Sequence, residues 1–532
     1  MARPTPRPPP TLTPTLQPIV RHWPCCGDPM WAAYHNSRTI TTLEAIMRLT
    51  LQIRCCRNPA GPQVRKPYRP ESAGRLALPQ HECGLDGLTC IGTQRSPPHD
   101  SVPTIPQALV ARGMAVAPRT VTHLLERYDE LVALSLQATA RLRRLTQPQG
   151  RGILALDGLQ PDVGQAVLWV LRACLAGEGL LARRVLSATH TARAALLREG
   201  TQALEVPMAG GIPDGQRSIR AAVAQAFPEV PHQLCHLPSL HEAAKPISEA
   251  DRQAQKVRKK PVRGVRPLDR AVEGRPTPEA AVLRDYGRAV RRALTDAGRP
   301  PLAACRSPAP RAPQCQCPEP GAGGKKGTVP QALGRLKTIL RRGLDATASL
   351  WPAVRVAEGW VHRAAPILNN DAQGTAAAGR RRLHGLLGAM GQPQATAGSL
   401  APAVGPLLQV RRSYWPGLCH CDSMPDLPRT NNDLEQFFGA SRSHERRATG
   451  RKVAAPAVGR RGAVRLVACA APRLHPFTST ELAPDTVSAW QELRQTLETR
   501  RQQRTQRRRC RRAPAPYLAK LEADLLQLIL PP

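Results

Sequence analysis

The chain has 532 residues, roughly three or four domains' worth. It carries 76 Lys+Arg against 39 Asp+Glu, a formal charge of +37. That excess excludes an ordinary metabolic enzyme and points to a polyanionic partner, most simply nucleic acid. Aromatics are only 3%, which argues against a single-strand binder built on base stacking. The N-terminus MARPTPRPPP has no apolar signal region and no run of roughly 18 apolar residues occurs, so neither secretion nor a membrane span is expected.

In chain order, residues 1–20 are rich in Pro and Thr and read as a disordered arm. Residues 21–100 form a region with six cysteines: Cys25, Cys26, Cys55, Cys56, Cys83 and Cys90. A zinc ribbon needs paired thiolates about two to four residues apart. The pairs Cys25-Cys26 and Cys55-Cys56 are adjacent instead, so these four are candidate zinc ligands of a degenerate ribbon, with buried or idle thiols the plainer reading.

Residues 101–147 read as a helix-turn-helix region. Ile105, Leu109 and Val110 give one short apolar face, Gly113 breaks it, and Pro118 opens a second helix. Val121, Leu124, Leu125 and Tyr128 follow at the spacing of an amphipathic stripe. The start of that helix carries Arg119, Thr120, Thr122 and His123, residue types that suit phosphate and base-edge contacts.

Residues 151–252 read β-β-β-α-β-α-β-α. Strands are expected at 153–156, 166–175, 180–186, 204–208 and 230–235, with helices at 191–199, 216–227 and 240–252. Three sequential strands followed by alternating helices imply a mixed α/β sheet with helices on its faces. The 253–425 region is basic at first and then largely helical, with a Pro/Gly/Cys-rich loop at 301–329 and Trp351, Trp360 and Leu368 as core anchors. Within 426–470 a helix begins near Thr430 or Asn431, with Leu434, Phe437 and Phe438 facing a core and Glu435 in its first turns. Arg442, Arg446, Arg447, Arg451 and Lys452 then make a basic, DNA-contacting segment. The 471–532 tail is basic and helical or disordered; eight of the thirteen residues 500–512 are Arg, too dense for a packed face.

Three acids stand apart. Asp157 closes the first strand of the sheet, Asp214 follows the fourth, and Glu435 sits on the late helix. Converging carboxylates need cations, and hard oxygen donors suit Mg²⁺ or Mn²⁺. Two such ions about 4 Å apart can activate a water or 3′-hydroxyl and stabilise the leaving oxygen of a phosphodiester.

The stretches ILALDGLQPDVG (153–164), GIPDGQRSIRAAVAQAFPEVPHQLCH (211–236), AAKPI (243–247), RSYWPGL (412–418) and DLPRTNNDLEQFFG (426–439) resemble bacterial insertion-sequence transposases of the DDE type. The resemblance covers roughly residues 100–470. It implies an RNase H-like core interrupted by a helical insertion before the final Glu, with Asp157, Asp214 and Glu435 as a catalytic triad binding two Mg²⁺ (or Mn²⁺) ions. It makes Asn431 and Asn432 supporting residues, with helix capping as their plainer role. It further implies strand cleavage and transfer, DNA partners in the form of terminal inverted repeats and target DNA, a homodimer or higher synaptic oligomer, and a bacterial cytoplasmic, nucleoid-associated setting. The departures are a Cys235 without a His three positions on, the out-of-character 301–329 stretch and the uneven cysteine spacing. They leave a catalytically inactive, transposase-derived DNA-binding protein as the alternative.

Overall fold

The computed structural model describes residues 8–58, 66–96, 99–159, 167–185, 189–202, 204–213, 215–260, 276–295, 338–339, 341–343, 345–346, 348–391, 414–424, 426–450 and 455–529. The loop expected at 301–329 therefore lies outside the described residues.

The elements begin with strands β1 (Thr15–Leu16), β2 (Met30–Thr41) and β3 (Ile46–Cys56), then helices α1 (Glu71–Leu76), α2 (Leu85–Arg95), α3 (Ile105–Val110), α4 (Pro118–Gln137) and α5 (Thr139–Thr146). Strands β4 (Gly152–Leu159), β5 (Val167–Ala173) and β6 (Glu178–Val185) follow, then α6 (His190–Gln202), β7 (Met208–Pro213) and α7 (Arg217–Ala226). A helical stretch holds α8 (His236–Lys259), α9 (Pro278–Thr295), α10 (Trp351–Asn369) and α11 (Ala376–Gly391). The chain closes with α12 (Asn432–Thr449), α13 (Ala455–Arg461), α14 (Ala463–Leu474), α15 (Ser479–Leu482), α16 (Val487–Arg512) and α17 (Pro514–Ile529). The protein is thus mixed α/β, and among the described residues no helix is long and apolar enough to cross a membrane.

Two compact units divide the chain. The first comprises 1–211, 217–230 and 432–532; the second comprises 212–216 and 231–431. From residue 231 the second unit is largely helical, and α8 packs on α10 and shares its core. In the second unit Ile247, Val354, Trp360, Leu383, Leu387 and Met390 form that core, so Trp360 and Leu368 are anchors as expected.

The first unit holds two sheets. The N-terminal sheet has order β1-β3-β2, with β1 parallel and β2 antiparallel to β3. The Pro-rich stretch expected to be a disordered arm contributes β1, and the Ile19 and Val20 amides donate to the Glu71 carboxylate. The second sheet has order β6-β5-β4-β7, with β4, β5 and β6 antiparallel neighbours. Residues 230–235, expected as a fifth strand, are not one. Their polar groups are satisfied otherwise: Gln233 Nε2 donates to Leu418 O at 2.9 Å and its Oε1 accepts from the Cys421 amide at 3.0 Å.

Alternation along β4 and β5 gives the second sheet two different faces. Leu154, Leu156, Trp169 and Leu171 pack with Leu196, Leu197 and Val223 of α6 and α7. Ala155, Leu168 and Val170 face the other way and pack with Val121, Tyr128 and Leu131 of α4, Leu434 and Phe437 of α12 and Leu466 of α14. The two helices α3 and α4 form as expected, and α2 packs on both. A Cβ at Gly92 of α2 would collide with the Tyr128 ring of α4, so glycine there permits the close approach of the two helices.

Candidate functional site

Asp157 lies near the end of β4, half-buried, with its Oδ1 accepting from the Gly158 amide at 2.7 Å. In the β4–β5 register Asp157 stands opposite Val170, and Ala155 stands opposite Arg172. Directly opposed residues of an antiparallel pair project to the same face. Asp157 and Arg172 therefore belong to the face that α12 covers.

Arg172 ties α12 to that face. Its guanidinium is buried, its Nε donates to Asp433 Oδ2 at 2.5 Å and its Nη2 to Asp433 Oδ1 at 3.2 Å. The same guanidinium lies 5.6 Å from the Phe437 ring centroid, one helical turn on. Leu434, Phe437 and Phe438 are buried and Glu435 is exposed. A helix with i, i+3, i+4 apolar contacts must turn the intervening acid away from its core. Helix α12 thus covers the Asp157 face of the sheet, while the Glu435 side chain is exposed and projects away from that packed interface. Position 214 lies outside the described residues, as do Arg451 and Lys452.

The polar residues expected to support the acids have other work. The Asn431 amide donates to Cys235 Sγ at 3.1 Å, while its buried Oδ1 accepts no hydrogen bond among the described residues and so caps nothing. Asn432, the first residue of α12, is exposed. His236 is buried and its Nε2 donates to Leu418 O at 2.6 Å; burial holds its pKa below the usual imidazole value.

The DNA-contacting residues expected on α4 are all exposed. Arg119, Thr120, Thr122 and His123 occupy its first two turns, while Val121, Leu124 and Leu125 between them are buried. Arg442, Arg446 and Arg447 are exposed along α12.

Among the described residues two clusters of metal-ligand type occur, and neither contains Asp157 or Glu435. The first is Cys26, Asp28 and Cys56, in the β2–β3 region. Cys26 Sγ and Cys56 Sγ lie 3.9 Å apart, close to the spacing of about 3.8 Å that two thiolates 2.3 Å from a tetrahedral zinc would have. Asp28 Oδ2 lies 3.8 Å from Cys56 Sγ and accepts from Asn58 Nδ2 at 3.1 Å, and that hydrogen bond holds its carboxyl below the ordinary range. These donors fit a cation with one position left for solvent. Cys25 and Cys55 are outside the cluster; on β3, neighbouring residues of an extended strand face opposite ways, so Cys56 turns toward Cys26 and Cys55 does not.

The second cluster is His444, Glu445 and Cys469, all buried. Arg465 already neutralises Glu445, with Nε to Oε1 at 2.6 Å, and burial pushes the Cys469 thiol far up, so that it donates to Glu445 Oε1 at 3.5 Å. That is the chemistry of a buried ion-pair network rather than of a metal centre. The network extends to α4: Arg465 Nη1 donates to Asp129 at 3.0 Å, and Arg461 Nη2 to Glu130 at 3.1 Å. The partners are more than 330 residues apart in the chain, and no local pattern announces them.

No family model matches the chain, and no curated protein is significantly similar to it.

Proposed function

We propose that the chain is a DNA transposase of an insertion sequence, with an RNase H-like core, acting by metal-dependent phosphodiester cleavage and strand transfer. The observation that supports this reading is the placement of α12: the Arg172–Asp433 pair lays the helix that carries Glu435 on the Asp157 face of the sheet. Asp157, Asp214 and Glu435 are the residues that would hold two Mg²⁺ ions, hard cations suited to carboxylate oxygens. When bound, such ions supply a water or 3′-hydroxyl activated as nucleophile and a stabilised leaving oxygen.

The chain's own residues do the rest. The exposed first turns of α4, with Arg119, Thr120, Thr122 and His123, present phosphate and base-edge donors in the manner of a recognition helix. Arg442, Arg446 and Arg447 add cationic contacts on α12 itself, beside the acid they would serve. The +37 charge draws DNA to an acidic centre that would otherwise repel it. Two element ends must be held together for strand transfer, which favours a homodimer.

The test uses the purified full chain and a plasmid carrying its coding sequence with flanking DNA. Asp157→Asn, Asp214→Asn and Glu435→Gln each abolish Mg²⁺-dependent strand cleavage and leave DNA affinity intact. Unchanged cleavage in any of the three shows the triad to be misassigned. A wild-type chain that binds DNA and never cleaves it under Mg²⁺ or Mn²⁺ supports the inactive, DNA-binding alternative instead.

A further inference from the structure

The tail helix α16 is anchored at one end only. Trp490 is its one buried residue among those described, and the indole Nε1 donates to Glu130 Oε2 of α4 at 3.0 Å. Arg494 lies over the Trp490 ring, 5.4 Å from its centroid. From there to Arg512 the helix has no buried side chain.

One side of α16 nevertheless faces something. With the start of α4 and with α13 it encloses a cleft of about 770 Å³. Nine arginines and five carboxylates line it. The floor is balanced: Arg127, Arg461 and Arg465 are paired with Asp129, Glu130 and Glu445. The positive excess therefore sits on the rim, where Arg460, Arg494, Arg501, Arg504 and Arg508 are exposed. Among the described residues Arg460, Arg504 and Arg508 have no carboxylate within ion-pairing distance, and Arg501 has only the exposed Glu498 at 3.7 Å. Arg500 and Arg504 also crowd Arg184 of β6 electrostatically, on a guanidinium already penalised by burial. Such an accumulation of like charge calls for an anion.

The shape of the row says which kind. Arg494, Arg501 and Arg508 recur every seven residues along one face, a span of about 21 Å at 1.5 Å per residue. That length exceeds any single small anion and suits a strand with one phosphate per roughly 3.4 Å of duplex axis. The hydroxyls of Thr122 and Thr505 and the imidazole of His123 line the same cleft. No Phe, Tyr or Trp lines it, so base stacking is not its means of holding a strand.

We infer that the cleft between α4, α13 and the Arg-rich face of α16 is a binding site for the sugar-phosphate backbone of duplex DNA, in which the tail clamps the same duplex that the start of α4 contacts. This deepens the proposed function and rests on its reading of the chain as DNA-binding, though not on catalysis. Like-charge pairs at i, i+4, such as Arg504/Arg508 and Arg508/Arg512, disfavour an isolated helix. Phosphates along the row remove that repulsion, so DNA binding stabilises α16.

The experiment compares two charge-matched variants of the full chain by fluorescence anisotropy on a labelled 30-base-pair duplex across a salt series. R501E/R504E/R508E alters the cleft face, and R509E/R511E/R512E makes the same charge change off it. The cleft variant binds at least tenfold more weakly at about 0.1 M salt, and its log–log salt slope falls by about two to three, since each lost phosphate contact removes close to 0.9. The off-cleft variant loses markedly less. Because α16 buries only Trp490, circular dichroism and thermal melting of both stay near wild type; Arg504→Gln/Arg508→Gln repeats the comparison without reversing charge. Equal losses in the two triple variants, or tighter binding of a single strand or of RNA of the same length, overturn the inference. Failure of the Asp157→Asn cleavage test leaves it standing, because this readout is binding alone.

Discussion

The buried guanidinium of Arg172 on β5 grips the half-exposed carboxylate of Asp433 on α12 through two hydrogen bonds of 2.5 and 3.2 Å. A charged residue in a strand otherwise buried on both faces is costly unless paired. Here the pair sets where α12, the helix that carries the exposed Glu435, packs on the sheet. Arg172→Met removes the charge and keeps the volume, so folding stability changes by no more than about 1–2 kcal/mol, while cleavage falls because α12 loses its registering contact. Asp433→Ala is the more harmful change, by about 2–4 kcal/mol, since it leaves the guanidinium buried and uncompensated. Urea melts of both single variants and the double variant measure this; a double variant whose loss equals the sum of the two single losses would show that the pair has no coupling.

The Cys26, Asp28 and Cys56 cluster predicts a selective pattern of metal binding. The full chain binds one equivalent of Co²⁺ or Zn²⁺ in the N-terminal region, with thiolate-to-Co²⁺ charge transfer near the ultraviolet edge. Cys26→Ser and Cys56→Ser abolish that band, whereas Cys25→Ser and Cys55→Ser leave it. Binding weakens as pH falls, because both thiols must release protons to the solvent before they ligate. An identical loss in all four serine variants would mean that the adjacent pairs act together as a ribbon, contrary to the geometry.

Strands β4, β5 and β6 and helices α4, α6 and α7 are legible because apolar runs or 3.6-residue stripes end at turn residues such as Gly177, or begin at Pro118. Strand β7 is displaced from its expected place: the apolar residues of 204–208 suggest a strand, yet 204–207 are not one and the chain is extended at Met208–Pro213, beside β4. Residues 230–235 mislead the other way, since Val230, Leu234 and Cys235 look like a strand but are held through Gln233 and His236 side chains. The hairpin β2–β3 carried a readable signal in Leu49, Leu51 and Ile53, which are buried at alternate positions. Of the site, Asp157, Glu435 and the exposed start of α4 follow from local pattern. The rest depends on partners far apart in the chain: Arg172 with Asp433, Arg465 with Asp129 and Glu445, and the tail arginines along a cleft that only folding creates.

Acid sensitivity of the second unit follows from His236. Its ring is buried and held neutral: burial lowers its pKa below the ordinary 6.5, Arg429 lowers it further, and Asp422 and the Leu418 carbonyl oppose them only in part. The unfolded chain therefore binds a proton that the folded state resists. Stability is full above the unfolded value and declines as pH falls below about 6.5, until the folded value is passed. In His236→Gln, which keeps a side-chain donor toward Leu418, the loss between pH 6.5 and 5 shrinks. Thermal melts at closely spaced pH values check it; an unchanged slope would place the proton uptake on another group.

Gly92 offers a way to disturb the α4 platform without touching any charge. A Cβ at this position collides with the buried Tyr128 ring, whose surroundings include Leu88, Ile91 and Leu124 in the same core. Overpacking of a well-filled core costs about 1–3 kcal/mol, and Ala gains back less than about 1 kcal/mol of helix propensity. Gly92→Ala is thus net destabilising and shifts α4 against α2. Tyr128→Leu removes the ring and relieves the clash, so the double variant is more stable than the sum of the singles implies. Because Arg119, Thr122 and His123 project from the first turns of the same helix, duplex affinity falls in Gly92→Ala and recovers in the double variant. Affinity that stays at the wild-type level while stability drops would separate DNA contact from the packing of α2 on α4.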